Sequence, residues 1–269
     1  MLPLKPRYEV QTSAWSVYLI IALCAVVFLW EQTVSPQTVL AFAYHPFLSI
    51  GAVTAMFLHA DWLHLVGNML VLHAFGKPVA DKIGNRRFLL IYLAMGVAAA
   101  LFYGLLDSRP MIGASGAVMG VVAMSLILMP FVDIKTLVWL FPPIIIDVAA
   151  FWIAGLWFIL DVWGSMGDDG GIAYEAHVGG FLAGLACAYW LLKTRAFRYR
   201  GGEQSLFKIF FKLDLDTHEL DRPAPAAPTA AAASGTARVA AGRCFACSAP
   251  VAPGAHRCLQ CGVSLLRPR

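Results

Sequence analysis

The sequence predicts an all-α membrane protein: a bundle of six transmembrane helices followed by a small metal-held module. Three observations lead there. Of the 269 residues, 59% are hydrophobic and 13% charged, against about 25% charged in a soluble globular chain. Together with a mean hydropathy of +0.70, this excludes a cytosolic enzyme, a secreted domain and a disordered chain. Apolar runs recur at lengths near the ~20 residues that cross a ~30 Å hydrocarbon core. Finally, the six cysteines divide unevenly: Cys24 and Cys187 stand alone in apolar runs and four cluster near the end, unlike the even spread of a disulfide scaffold.

The first run covers residues 15–30. It is too long for a cleaved signal peptide, and no small-residue cleavage site follows it. The second covers 63–79, the third 88–106, and the fourth lies between Pro110 and Pro130. The fifth is expected to start at Pro143, because Pro142-Pro143 would break an earlier helix, and to run to residue 163. The sixth covers 174–192. Spans two and four look short. With the N-terminus inside, the inner segments hold Lys5, Arg7, Lys77, Lys82, Arg86, Arg87, Lys135, Lys193, Arg195, Arg198 and Arg200, and the outer ones only Arg109. Eleven against one puts both termini in the cytoplasm, with the cell (inner) membrane as the expected location. Nothing in this pattern points to nucleic acid.

Four regions follow: a cytoplasmic tail (1–14), the six-span domain (15–195), a connecting region (196–242) and a terminal module (243–264). Within the connection, 206–215 is amphipathic, either lying on the inner membrane surface or forming a solvated helix stub. Residues 223–242 are Ala/Pro-rich and read as a linker. In the terminal module, Cys244-x-x-Cys247 and Cys258-x-x-Cys261 are separated by ten residues. Each close thiolate pair can grip one edge of a tetrahedron, which is what structural zinc requires. Four protein ligands leave no open coordination position, so the metal is structural and catalysis needs no cofactor. The segment resembles a zinc ribbon, available to a cytoplasmic partner.

Polar side chains at membrane depth are costly and mark function. Asp147, with a helix starting at Pro143, is expected in the first turn, where the helix dipole favours a carboxylate. Spans two, four and six all enter from the outside. His64 and Asn68 lie in the first turns of span two, Ser115 at the start of span four and His177 in the first turn of span six. Four hydrogen-bonding groups therefore sit at one depth. Gly113, Gly116 and Gly120 flank the serine, and Gly180 and Gly184 share a helical face with His177. Small residues at this spacing let two helices approach closely, which would bring His177 to Ser115 as general base to nucleophile. His64, Asn68 and the backbone N–H of Ser115 could then stabilise an oxyanion. No Asp or Glu is obviously placed to complete a triad, so the expectation is a dyad.

The segments Gly113-Ala114-Ser115-Gly116-Ala117-Val118-Met119-Gly120, His59…His64-Leu65-Val66-Gly67-Asn68 and Ala176-His177-Val178-Gly179-Gly180-Phe181-Leu182-Ala183-Gly184 resemble the three signatures of rhomboid intramembrane serine proteases. The resemblance covers roughly residues 15–195. It implies a rhomboid-like six-span fold, Ser115 as nucleophile, His177 as its base, His64 and Asn68 as oxyanion donors, and transmembrane proteins in the bilayer as substrates, cut near the outer face. His59 matches a further histidine often found before the second signature. Many members carry a Trp-Arg pair in the first outer loop; the corresponding stretch here is near Ile50-Gly51. The Gly-rich stretch 164–171 is a candidate mobile lid. Two other classes compete with a protease. A transporter would place its polar groups near the midplane, and a non-catalytic binder of membrane proteins would not need both Ser115 and His177.

Overall fold

The computed structural model describes residues 1–7, 10, 12–46, 50–139, 141–167, 171–197, 204–213, 242–243 and 250–251. Strand β1 (Leu2–Pro6) leads into α1 (Trp15–Glu31), the short α2 (Pro36–Leu40) and α3 (Gly51–Thr54), which continues as a 3-10 turn. Two 22-residue helices follow, α4 (Trp62–Ile83) and α5 (Asn85–Leu106). The 14-residue α6 (Ser115–Leu128) then leads into a hairpin of β2 (Asp133–Val138) and β3 (Ile144–Ala149). Helices α7 (Ala150–Gly164), α8 (Tyr174–Thr194) and α9 (Leu206–Phe211) and a two-residue pair, β4 (Gly242–Arg243) with β5 (Pro250–Val251), complete the described chain. By length and composition α5 and α8 are each sufficient to cross a membrane. The turn of α3 and α4 make a third such unit across a 96° bend, and α1, α6 and α7 are shorter apolar helices.

Local chemistry sets the helix ends. Asp61 accepts the His64 N–H at 2.8 Å and caps α4. Gly84, at φ +84°, separates α4 from α5, a conformation that favours glycine. At this end the chain before α1 is tied down by polar contacts. Thr12 donates from N and Oγ1 to the buried Asp81 carboxylate at 2.9 and 2.8 Å, and Ser16 donates likewise to Asn85 Oδ1. At the other end, Tyr44 and Met111 exchange two backbone hydrogen bonds, and Thr54 Oγ1 donates to Phe42 O at 2.6 Å. Gly51 lies against the Ala43–Tyr44 backbone, where a Cβ would come within 2.6 Å of Ala43 O. These contacts fasten the segment between α1 and α4.

Helix α6 is buried along nearly its whole length and packs on α8 through glycine. A Cβ on Gly180 would overlap the carbonyl of Gly116, and one on Gly184 that of Gly120. The two backbones are in direct contact, which only hydrogen side chains allow.

Four expectations need correction. The fold is not all-α: β1, β2 and β3 form an antiparallel sheet, with Leu2 opposite Leu137 and Asp133 opposite Ala149. Residues 144–149, expected as the start of the fifth helix, are strand β3, and α7 begins only at Ala150. Ile144-Ile145-Ile146 is as apolar as a helix start, but β-branched side chains suit a strand with a partner alongside. Asp147 is consequently not in a helical first turn. It accepts from Arg7 at 2.8 Å and lies 3.7 Å from Lys135 Nζ across the sheet. The second apolar run is also longer than its hydropathy suggests, because α4 continues through Pro78 to Ile83. Cys244, Cys247, Cys258 and Cys261 lie outside the described residues.

Gly184→Ala is expected to lower the stability of the detergent-solubilised protein by about 1–3 kcal/mol, since overpacking here meets backbone rather than a movable side chain. Gly155→Ala, on α7 where a Cβ meets nothing within 4 Å, should change stability by no more than about 1 kcal/mol. Thermal unfolding of both variants checks the contrast.

Candidate active site

The site grows from three helix starts. Gly113, at φ +125°, turns the chain into α6, so Ser115 stands at the first helical position. There the leading N–H groups have no intrahelical partner. On α8, His177 lies three residues from the start at Tyr174. On α4, the Asp61 cap places His64 in the first turn and Asn68 one turn on. A cavity of about 580 Å³ is lined by all four, Ser115, His177, His64 and Asn68, together with Tyr103, Arg109 and the 171–173 segment.

The absence of a side chain at Gly113 leaves free the space between His64 and Ser115. A Cβ there would lie 2.9 Å from His64 Nε2 and 3.7 Å from Ser115 Oγ, so one small volume adjoins both groups. The Ala60 N–H donates to His64 Nδ1 at 3.4 Å. A neutral imidazole that accepts at Nδ1 carries its proton on Nε2, so His64 presents a donor toward that volume. Asn68 is 8% exposed, and its Nδ2 is buried with no hydrogen-bond partner among the described residues. A buried amide without a partner is costly and is available to a ligand. His59 is not among the cavity-lining residues. Its ring packs edge-on to His64 at 5.2 Å, and its backbone N–H donates to the Glu31 carboxylate at 3.2 Å.

Among the described residues no hydrogen bond joins Ser115 to His177; the two share the cavity. The imidazole is instead fixed from its other side. His177 Nδ1 lies 3.0 Å from Oδ1 of Asp161, on α7. Asp161 was not anticipated: hydropathy hides a single carboxylate inside an apolar run. The signal was present nonetheless. Asp161 is the one charged residue of α7 and lies three residues before its end at Gly164, while His177 lies three residues after the start of α8. Two antiparallel helices joined by a short loop put such positions at one depth.

At the cavity mouth Arg109 pairs with Asp107, Nη2 to Oδ2 at 2.6 Å and Nε to Oδ2 at 2.8 Å. The hydrogen bonds from Arg109 bring the Asp107 carboxyl down to about 2, so this pair keeps its charges throughout the neutral range. Among the described residues no group of three His, Cys, Asp or Glu could hold a metal ion.

Residues 49–194 match the family described as Rhomboid domain. A 77-residue stretch is 46% identical to Rhomboid-like protein 11, chloroplastic, of Arabidopsis thaliana, covering 28% of this chain and 28% of that protein. Over 156 residues the chain is 30% identical to Rhomboid protein 1, mitochondrial, of Saccharomyces cerevisiae, covering 54% of this chain and 42% of that protein. It is 40% identical over 68 residues to Rhomboid protease GluP of Bacillus subtilis, covering 25% of this chain and 13% of that protein. The chain spans less than half the length of these curated relatives. With more than half of its residues, and the whole of the cavity-bearing helical unit α4 to α8, inside the matched region, the chain belongs to the rhomboid family.

Proposed function

We propose that this protein is an intramembrane serine protease in which Ser115 is the nucleophile and His177 its general base. Rhomboid proteins are integral membrane proteins and generally intramembrane serine proteases, although some members are inactive. The observation that carries the reading is the single cavity in which a serine, two histidines and an unpartnered asparagine amide converge from three helices. A transporter would need a site at mid-depth, whereas these groups lie at helix starts. A binder that only holds membrane proteins would have no use for a donor at His64 Nε2 facing the same small volume as the Ser115 hydroxyl.

In the proposed reaction Ser115 Oγ attacks the scissile carbonyl carbon and its proton passes to His177 Nε2. The carbonyl π electrons move to oxygen, and that oxyanion accepts hydrogen bonds from Asn68 Nδ2, His64 Nε2 and the backbone N–H of Ser115. As the C–N bond breaks, Nε2 returns the proton to the leaving amine. Water then attacks the acyl-enzyme, gives its proton to Nε2, and the C–Oγ bond breaks with the proton restored to serine.

Six spans with both termini inside accommodate α1 and α4 to α8, and the Lys/Arg asymmetry supports this orientation. At 1.5 Å per residue the 14 residues of α6 reach only about 21 Å, short of a ~30 Å core. Ser115 then sits below the outer surface, in a recess that water can enter. The substrates are transmembrane proteins with a helix-weak segment near the outer face. For the tail, Cys244, Cys247, Cys258 and Cys261 are the proposed ligands of one structural zinc. Each Cys-x-x-Cys pair can grip one edge of a tetrahedron, which is the support for this reading. A cytoplasmic partner is the proposed role of that module.

Three outcomes are expected. Ser115→Ala and His177→Ala should each abolish cleavage of a model transmembrane substrate while the protein stays folded, and Ser115→Ala should lose labelling by a fluorophosphonate probe. Residual turnover above a few per cent would remove the dyad assignment, since losing a nucleophile or its base costs many orders of magnitude. Asn68→Ala should lower kcat by about 10²–10³-fold, measured with the same substrate in liposomes. Truncation after Arg222 should leave that activity largely intact, whereas the full chain should carry one zinc that the truncated chain lacks; elemental analysis of both decides.

A further inference from the structure

We propose that Asp161 is the positioning residue of this site: its carboxylate holds the Nδ1–H tautomer of His177 so that Nε2 faces Ser115 as a bare acceptor. The inference rests on the protease reading for its catalytic meaning, but the hydrogen bond itself is a property of the structure. An ionised carboxylate can only accept, so at a 3.0 Å Nδ1–Oδ1 distance the proton between them belongs to the imidazole. A neutral histidine has one ring proton, and placing it on Nδ1 leaves Nε2 without one. That is the form a general base requires. When His177 takes the serine proton, the resulting imidazolium lies against a negative charge in a poorly hydrated site. The side chains of His177 and Asp161 are only 16% and 12% exposed, so the attraction is weakly screened. Asp161 orients the ring and exchanges no proton with the substrate.

The surroundings single out this contact. The cavity that His177 lines is also lined by Asp61, which caps α4, by His64 on α4, Tyr103 on α5, Arg109 in the loop after it and Ser115 on α6, and Tyr174 and Glu175 precede His177 on α8 itself. Asp107 is engaged by Arg109, and the Tyr174 ring meets His177 edge-on with centroids 6.1 Å apart. Among the described residues Asp161 makes the only side-chain hydrogen bond to His177. Two helices thus share the work: α8 carries the base and α7 orients it. The expected dyad gains a third, positioning residue, and the three stand on three different helices.

Asp161→Asn, nearly identical in shape, tests the charge and the tautomer together. With a transmembrane substrate in liposomes its kcat should fall at least about tenfold, because an amide can offer its N–H to Nδ1 and invert the ring proton. The acid limb of its kcat/KM profile should move to lower pH by about one unit, because the imidazolium loses its neighbouring anion. Asp161→Glu should restore the acid limb toward that of the wild type. An aspartate that only packs α7 would change folded yield and leave the limb in place, and that result overturns the proposal. A second measurement needs neither activity nor a variant at Asp161. In protein carrying ¹⁵N-histidine, the His177 resonances, assigned with His177→Gln, should report Nδ1–H in the neutral ring; Nε2–H there overturns the proposal. Turnover that survives Ser115→Ala, or wild-type protein that hydrolyses nothing while His177 is found as Nδ1–H, would defeat the protease reading and leave the Asp161–His177 pair standing.

Discussion

The rest of the structure depends on two helix backbones touching. At Gly116 against Gly180 and Gly120 against Gly184 there is no room for a single methyl group between α6 and α8. In lipid no hydrophobic force drives helices together, so van der Waals contact at small residues must do so. This contact decides which polar groups meet. Ser115 precedes Gly116 by one residue and His177 precedes Gly180 by three, so the glycine register and the depth of the two side chains are one constraint. Moving either helix by a turn would separate serine from histidine by about 5 Å. The packing that holds the bundle together also sets the chemistry.

A second constraint is the satisfaction of polar groups far from water. The buried Asp81 is occupied by Thr12 and Asp161 by His177. Four buried side-chain atoms have no partner among the described residues, His59 Nε2, Asn68 Nδ2, Tyr92 Oη and Ser125 Oγ, and of these residues only Asn68 lines the cavity. The buried Nε2 of His59, also without a partner among the described residues, lies behind His64 rather than in the cavity, and the geometry assigns it no role.

Much of the fold was legible because hydropathy and glycine spacing are local properties of a chain. The bounds of α1, α5 and α8 lie within three residues of the apolar runs that announced them. What was not legible depended on partners far away in sequence. Ile144-Ile145-Ile146 is a strand only because residues 133–138 lie beside it. Residues 2–6 join it only because β2 offers a second edge. Asp147 was misplaced with its element, since a carboxylate read against a helix dipole is in fact read by Arg7 and Lys135. In the site, the positions of Ser115, His177, His64 and Asn68 relative to their helix starts could be counted from the sequence. Asp161 could have been found by the same counting, but an apolar run with one acid was read for its average rather than its exception.

The sheet has a consequence for how the chain assembles in time. Leu2 pairs with Leu137, so strand β1 waits for one that lies some 135 residues later. At roughly 5–20 residues per second of synthesis, that interval is on the order of ten seconds. By then α1, α4, α5 and α6 have been made, and the β2–β3 hairpin, joined by a short connection, can form by itself. Non-local strand pairing is slow because loop closure precedes its reward. The N-terminal strand is therefore a late arrival on a hairpin that joins α6 to α7. Its docking, with Arg7 reaching Asp147, joins residues 140 positions apart and comes late in assembly.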